Sequence, residues 1–78
     1  MIFTAPVPEE LRSSLLASAT YDASQSILQL QFRDGAIYRY FQVSPRCYQE
    51  LLRADSHGTY FNQYIRGRCP YLKLHRPH

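Results

Sequence analysis

From Leu28 to Phe32 the chain alternates, with Leu28, Leu30 and Phe32 separated by Gln29 and Gln31. That is the period-two pattern of a strand with one buried and one wetted face. After Asp34-Gly35 a second strand-prone run carries Tyr38-Arg39-Tyr40 and ends near Val43, so the whole stretch predicts a β-hairpin. Its turn decides where the tyrosines point, because a slip of one residue moves every side chain to the other face. A two-residue turn on Asp34-Gly35 would set Arg39 opposite Leu30 on the apolar face, and burying an unpaired guanidinium costs several kcal/mol. A three-residue loop, Arg33-Asp34-Gly35, with Gly35 left-handed as a bulge, sets Tyr38 opposite Leu30 and Tyr40 opposite Leu28. Arg39 then joins Gln29 and Gln31 in water, and the desolvation cost favours this register.

The flanking segments follow from similar signals. Pro8-Glu9-Glu10-Leu11-Arg12 places a proline and acids as a helix start does. A brief helical turn is therefore expected, then a strand from about Ser14 to Tyr21, since Ser13-Ser14 and Thr20-Tyr21-Asp22 move away from helix chemistry. The short polar connector from Asp22 to Ser26 makes that strand an antiparallel neighbour of the hairpin. Ser44-Pro45 is an N-cap followed by a proline at the first helical position. Beyond it Cys47, Tyr48, Leu51, Leu52 and Ala54 form an apolar stripe, with Arg46, Gln49, Glu50 and Arg53 facing solvent. This helix is expected over the Leu28, Leu30, Tyr38 and Tyr40 face. Asp55-Ser56 ends it or caps the next element, a shorter helix from Thr59 to Arg66 that groups Tyr60, Phe61, Tyr64 and Ile65. Gly67 is placed as its C′ residue and Pro70 blocks continuation.

The fold class expected is α+β, a three-stranded antiparallel meander packed on one face by two short helices. The alternating run Tyr71-Leu72-Lys73-Leu74 has room to add a fourth, edge strand. Residues 1–12 are expected to be an N-terminal arm, 13–74 the domain, and 75–78 a frayed tail.

Length and charge narrow the function. A chain of 78 residues buries only about 60% of its unfolded surface, which leaves little room for a deep enzyme cleft. The first 35 residues carry Arg12 and Arg33 against Glu9, Glu10, Asp22 and Asp34, a net of −2. The remainder carries Arg39, Arg46, Arg53, Arg66, Arg68, Lys73 and Arg76 against Glu50 and Asp55, a net of +5. Such asymmetry suits an anionic partner, although scattered arginines that merely solvate helix faces would give the same count. No apolar run of about 18 residues and no signal-peptide pattern is present, so no membrane partner and a cytoplasmic location are expected. Cys47 and Cys69 lack metal-site spacing and read as reduced structural thiols.

Catalytic and cofactor chemistry find little support. Asp22, Asp34 and Asp55 sit at turns or caps, where short carboxylates satisfy backbone amides. Cys47 and His57 do not read as a nucleophile and base, since Cys47 lies on an apolar stripe and His57 in a cap. His75 and His78 lack further ligands, so no metal or other cofactor is expected. Nucleic-acid binding, by contrast, needs cations for phosphates and aromatic faces for bases. The open sheet face offers Gln29, Gln31, Ile37, Arg39 and Phe41, with Arg66, Arg68 and Lys73 as a phosphate track beside it. Phe41 and Ile37 either lie open there or are covered by one end of the chain. Asn62 and Arg66, four apart, share one helix face near amides that could hold a phosphate. Ser56 and Gly58 are explained by capping and close approach.

Ser13-Ser14 leading to Tyr21-Asp22, Leu28-x-Leu-x-Phe32 with Gly35, Tyr38-x-Tyr40, and Ser56-x-Gly58-x-Tyr60-Phe61-Asn62 with Ile65-Arg66 together resemble the KTSC domain. That small module occurs in single-domain bacterial and phage proteins and at the C-terminus of some lysyl-tRNA synthetases. The resemblance spans about Ser13 to Leu74. It implies a strand rather than a helix at Ser14 to Tyr21, structural roles for Tyr38, Tyr40, Ser56, Gly58 and Phe61, and nucleic-acid association by way of the synthetase. The function expected is a small non-enzymatic module contacting RNA or single-stranded nucleic acid through Arg39, Phe41, Asn62, Arg66, Arg68 and Lys73. The alternative is an adaptor docking on another protein.

Overall fold

The hairpin takes the bulged register. The Phe32 amide donates to the Ala36 carbonyl at 2.8 Å, the Gly35 amide donates to the Phe32 carbonyl at 3.0 Å, and Gly35 has φ +97°, a conformation open to glycine and strained for other residues. Leu28 therefore stands opposite Tyr40, Gln29 opposite Arg39 and Leu30 opposite Tyr38. The fold is taken from a computed structural model that describes residues 8–75. Residues 1–7, most of the expected arm, and residues 76–78, most of the expected tail, lie outside the described residues.

In chain order the elements are β1 (Glu9–Glu10), β2 (Leu16–Asp22), β3 (Ile27–Phe32), β4 (Ile37–Tyr40), α1 (Pro45–Arg53), α2 (His57–Tyr64) and β5 (Tyr71–His75). The strands form one sheet in the order β1-β2-β3-β4-β5, every neighbour antiparallel. On the helix-facing side Ala19 is opposite Leu30 and Tyr21 opposite Leu28, while an irregularity between Leu16 and Ser18 resets the alternation. Leu16 and Ala19, three apart, can thus both point inward, which regular pleating forbids. Leu16, Ala19, Leu28 and Leu30 with Leu11, Tyr40, Val43, Leu51, Phe61 and Ile65 make the buried core, against which half-buried Tyr21 packs, each large side chain contributing about 1.5–3 kcal/mol by burial.

Both helices start where the sequence places caps. Ser44 Oγ accepts from the Cys47 amide and Ser56 Oγ from the Thr59 amide, each at 3.1 Å. Tyr48 of α1 stacks on Tyr21 of β2 at 4.5 Å between centroids, and the Tyr21 hydroxyl donates to the Val43 carbonyl at 2.6 Å. Phe61 of α2 sits edge-on to both Phe32 and Tyr40. Helix α2 spans His57–Tyr64, so it begins two residues before the expected Thr59 and leaves Arg66 beyond its end. The chain unwinds at Ile65, and Gly67 adopts φ +77°.

Two expectations need correction. The fourth, edge strand expected after β4 is present as β5, but β1 adds a fifth beyond β2, so the sheet has five strands rather than three or four. The helical turn at Pro8 to Arg12 is absent, because Glu9 pairs with Ala19 and Glu10 with Ser18 in β1. Local propensity there is overridden by the unpaired backbone groups that β2 would otherwise leave at its outer edge. Leu11 is 3% exposed and its amide donates to the Ala17 carbonyl at 3.0 Å.

Arg33 fastens this segment. Its guanidinium donates to the carbonyls of Ser13 at 3.0 Å and Leu11 at 2.8 Å. Replacing Arg33 with Ala should lower the unfolding free energy by about 1–2 kcal/mol, read as a lower urea midpoint at unchanged slope. Arg33→Lys should recover less than half, since one ammonium cannot reproduce the two-pronged contact. An unchanged midpoint would exclude the fastening role.

Candidate nucleic-acid interface

The margin of the sheet at β4 and β5 differs from the rest because no helix covers it fully. Tyr71 pairs opposite Tyr40, Leu72 opposite Arg39 and Lys73 opposite Tyr38, after a register shift between Ile37 and Tyr38. Paired residues share a face, so Tyr71 and Lys73 belong to the helix-facing side, and Leu72 and Arg39 to the open side. A groove of about 400 Å³ results, lined by Phe32, Tyr38, Tyr40, Phe61 and Tyr71 with Asp34, Arg66 and Lys73 among the polar residues around them.

The rings form a connected floor. Tyr38 and Tyr40 lie 6.1 Å apart, and Tyr71 is 5.7 Å from each. Phe32 meets Tyr38 at 5.3 Å, and Phe61 meets Tyr40 at 5.4 Å. Lys73 Nζ stands 5.1 Å above the Tyr38 ring, a cation–π distance. Burial pushes the Tyr40 phenol up to about 12, helped by neighbouring Tyr38 and opposed by the positive charge of Arg66. Tyr71, at the outer edge, remains 60% exposed. The arrangement offers a half-open aromatic surface, two cations beside it, and one carboxylate.

The residues singled out from the sequence do not form one patch. Arg66 and Lys73 come together with Tyr38, Tyr40 and Phe61 in the groove. Arg39 lies on the opposite face, half-buried, its Nη2 donating to Gln29 Oε1 at 3.0 Å. Phe41 follows β4, half-buried, its amide donating to the Pro70 carbonyl at 2.8 Å. Arg68 Nε donates to the Gln63 carbonyl at 2.9 Å and so helps to close the end of α2. Asn62 lines a separate polar hollow at the start of α2, together with Ser13, Ser56 and Gly58. The close approach inferred for Gly58 is not needed, since a Cβ there would stand 3.5 Å from Leu15 Cβ and 3.6 Å from Ser13 Oγ, ordinary contact distances.

Sequence reasoning passed over Tyr71 and Asp34 as site residues. Tyr71-x-Lys73 carried a usable signal, because in any strand those two share a face. Asp34 does form the turn expected of it, Oδ1 accepting from the Ala36 amide at 2.9 Å, and it also reaches the groove. Cys47 and Cys69 are both free thiols. The Tyr60 hydroxyl donates to Glu50 Oε1 at 3.0 Å and lies 3.8 Å from Cys47 Sγ, while His57 Nδ1 is engaged by the Leu51 carbonyl at 2.8 Å. Among the described residues no cluster of three or more His, Cys, Asp or Glu could hold a metal, and no helix is long and apolar enough to cross a membrane.

Comparison with known proteins gives concordant results. The model of the KTSC domain matches residues 12–71. An uncharacterized protein of Stutzerimonas stutzeri is 53% identical over 53 residues, which are 68% of this chain and 75% of that one. The crystal structure of a KTSC domain protein from Yersinia pestis superposes with a TM-score of 0.87 at 31% identity, covering 91% of this chain and all of the other. A lysine–tRNA ligase of Nostoc punctiforme is 31% identical over 61 residues, 78% of this chain but only 11% of the ligase.

The groove's phenols give a pH signature. A raised folded-state pKa means that the stability contributed by neutral, buried Tyr40 is complete below the ordinary phenol range and is lost as pH rises through about 12. Burial also raises Tyr21 and Tyr48. Alkaline titration followed by phenolate absorbance should therefore show delayed phenols behind the ordinary ones, and Tyr40→Phe should remove one delayed phenol while keeping the rest. A variant that loses only an ordinary phenol would contradict the raised Tyr40 phenol.

Proposed function

The chain belongs to the KTSC domain family, and from that premise we propose that it is a small cytoplasmic binding module that holds RNA or single-stranded nucleic acid in the β4–β5 groove. The observation that carries the reading is the meeting of three phenol rings, Tyr38, Tyr40 and Tyr71, with the cations of Arg66 and Lys73 in one half-open groove. Unpaired bases stack on aromatic faces whatever their sequence, and lysine or arginine neutralises the connecting phosphates. Exposed Tyr71 supplies the outer stacking face, Tyr38 and Tyr40 the inner wall, and Arg66 and Lys73 the phosphate contacts. A duplex hides its base faces, so single strands, loops and ends are the form the groove fits. The similarity to a segment of lysine–tRNA ligases supports an association with RNA. The role is binding without catalysis, and free Cys47 and Cys69 suit a reducing compartment.

The open face supports a second reading, docking on another protein. Leu72 is 52% exposed there, opposite Arg39, and the neighbouring Leu74 is 41% exposed, which suits a protein surface better than a phosphate backbone.

Titrating a labelled single-stranded RNA at several salt concentrations separates the two. Log affinity should fall with log salt by about 0.7 per phosphate contacted, so the Arg66→Ala, Lys73→Ala double variant should flatten the slope by about 1.4. Tyr71→Ala should weaken binding by about 1–3 kcal/mol, and Arg39→Ala should leave affinity and slope unchanged. No RNA binding at low salt, with a protein partner still captured after nuclease treatment, would replace the first reading by the second.

A further inference from the structure

The groove is not uniformly basic. Arg66 and Lys73 line it, Lys73 standing over Tyr38, whereas Asp34 of the β3–β4 turn adds a carboxylate to the same lining. One oxygen of that carboxylate, Oδ1, accepts from the Ala36 amide at 2.9 Å. Among the described residues Asp34 makes no ion pair, so its second oxygen retains its capacity to accept. Asp34 is exposed and lines the same groove as buried Ala36 and the rings, so the acceptor belongs to the groove that carries the stacking surface.

We propose that the groove selects an unpaired guanine, stacked on the tyrosines and read along its Watson–Crick edge by Asp34. The inference rests on the groove being the nucleic-acid site and adds which base it prefers. A carboxylate repels phosphate, so the strand enters with its phosphates toward Arg66 and Lys73 and a base edge toward Asp34. An ionised carboxylate only accepts hydrogen bonds. Guanine presents two adjacent donors on that edge, the ring N1–H and the 2-amino group, which suit a carboxylate. Uracil presents one N–H flanked by two carbonyl oxygens that would face the negative charge. Cytosine and adenine each present an amino group beside a bare ring nitrogen, one donor and one repulsive acceptor. Leaving such edges opposite the carboxylate costs the base its hydration without replacing it.

The test uses oligouridines carrying a single guanosine, adenosine or cytidine at a central position, beside the all-uridine strand, each titrated against the full chain and against Asp34→Asn. The substitution keeps an oxygen for the Ala36 amide and so preserves the turn, which an unchanged urea midpoint verifies. The guanosine strand should bind about tenfold tighter than the all-uridine strand, and Asp34→Asn should bring the two within about twofold. Equal binding of all four strands by the native chain, or a guanosine preference that survives Asp34→Asn, overturns the base selection while leaving the groove as a binding site. Failure of every strand to bind overturns both.

Discussion

A guanidinium that cannot be left unpaired in an apolar core sets the organisation of this molecule. Arg39 sits between two tyrosines on a strand with one buried face, and a shift of one residue would exchange them. The exclusion of Arg39 costs nothing in the bulged register, where it faces Gln29 across the strand pair. In the alternative it costs several kcal/mol, comparable with the whole stability of a small domain. Gly35 at φ +97° makes the favourable register geometrically accessible. Tyr38 and Tyr40 then belong to the helix-facing side, and with them the floor of the groove.

Why a groove persists there follows from what the two helices cover. Helix α1 places Tyr48 over β2, and α2 places Phe61 over β3 and β4. Neither sets an aromatic against β5, whose Tyr71 and Leu72 stay largely exposed. A strand added beyond the reach of the helices extends the apolar face by about 5 Å without a lid. Aromatic residues fill the margin because a phenol can bury its ring edge against neighbours while its hydroxyl keeps water. The same compromise that finishes the core leaves stacking surface available.

Much of this could be read from the residues. The meander, its register and the Ser44 and Ser56 caps follow from alternation, desolvation and capping chemistry, which act over a few residues, while the structural role of Phe61 is implied by the family resemblance. The rest depends on partners distant in sequence. Glu9 and Glu10 carry a helix-start signal, yet pair with β2 because its edge, Leu11 in the core and the Arg33 contacts outweigh a short helical propensity. The irregularity at Ala17 in β2 leaves no local trace either. The alternation of Tyr71 to Leu74 identifies a strand but not its phase relative to β4. That phase sends Lys73 to the tyrosine side and leaves Arg39 on the other, so the surface drawn from the sequence divides into two.

The division changes how the excess of arginine should be weighed. Summed along the chain, the C-terminal half suggests a broad cationic face. Counted by what each group already holds, Arg33 is engaged by two backbone carbonyls, Arg39 by Gln29, Arg46 by Glu50 and Arg68 by the Gln63 carbonyl. Arg66 has only a long 3.4 Å contact to Asn62, and Lys73 only the face of Tyr38. A cation already satisfied by the protein must break that contact to meet a phosphate, whereas one resting on an aromatic surface can keep its neighbour and gain the phosphate as well. Arg12 and Arg53 also show no side-chain hydrogen bond or ion pair among the described residues, but they lie away from the phenols, so the net charge of +3 says less about binding than the fact that Arg66 and Lys73 border the groove.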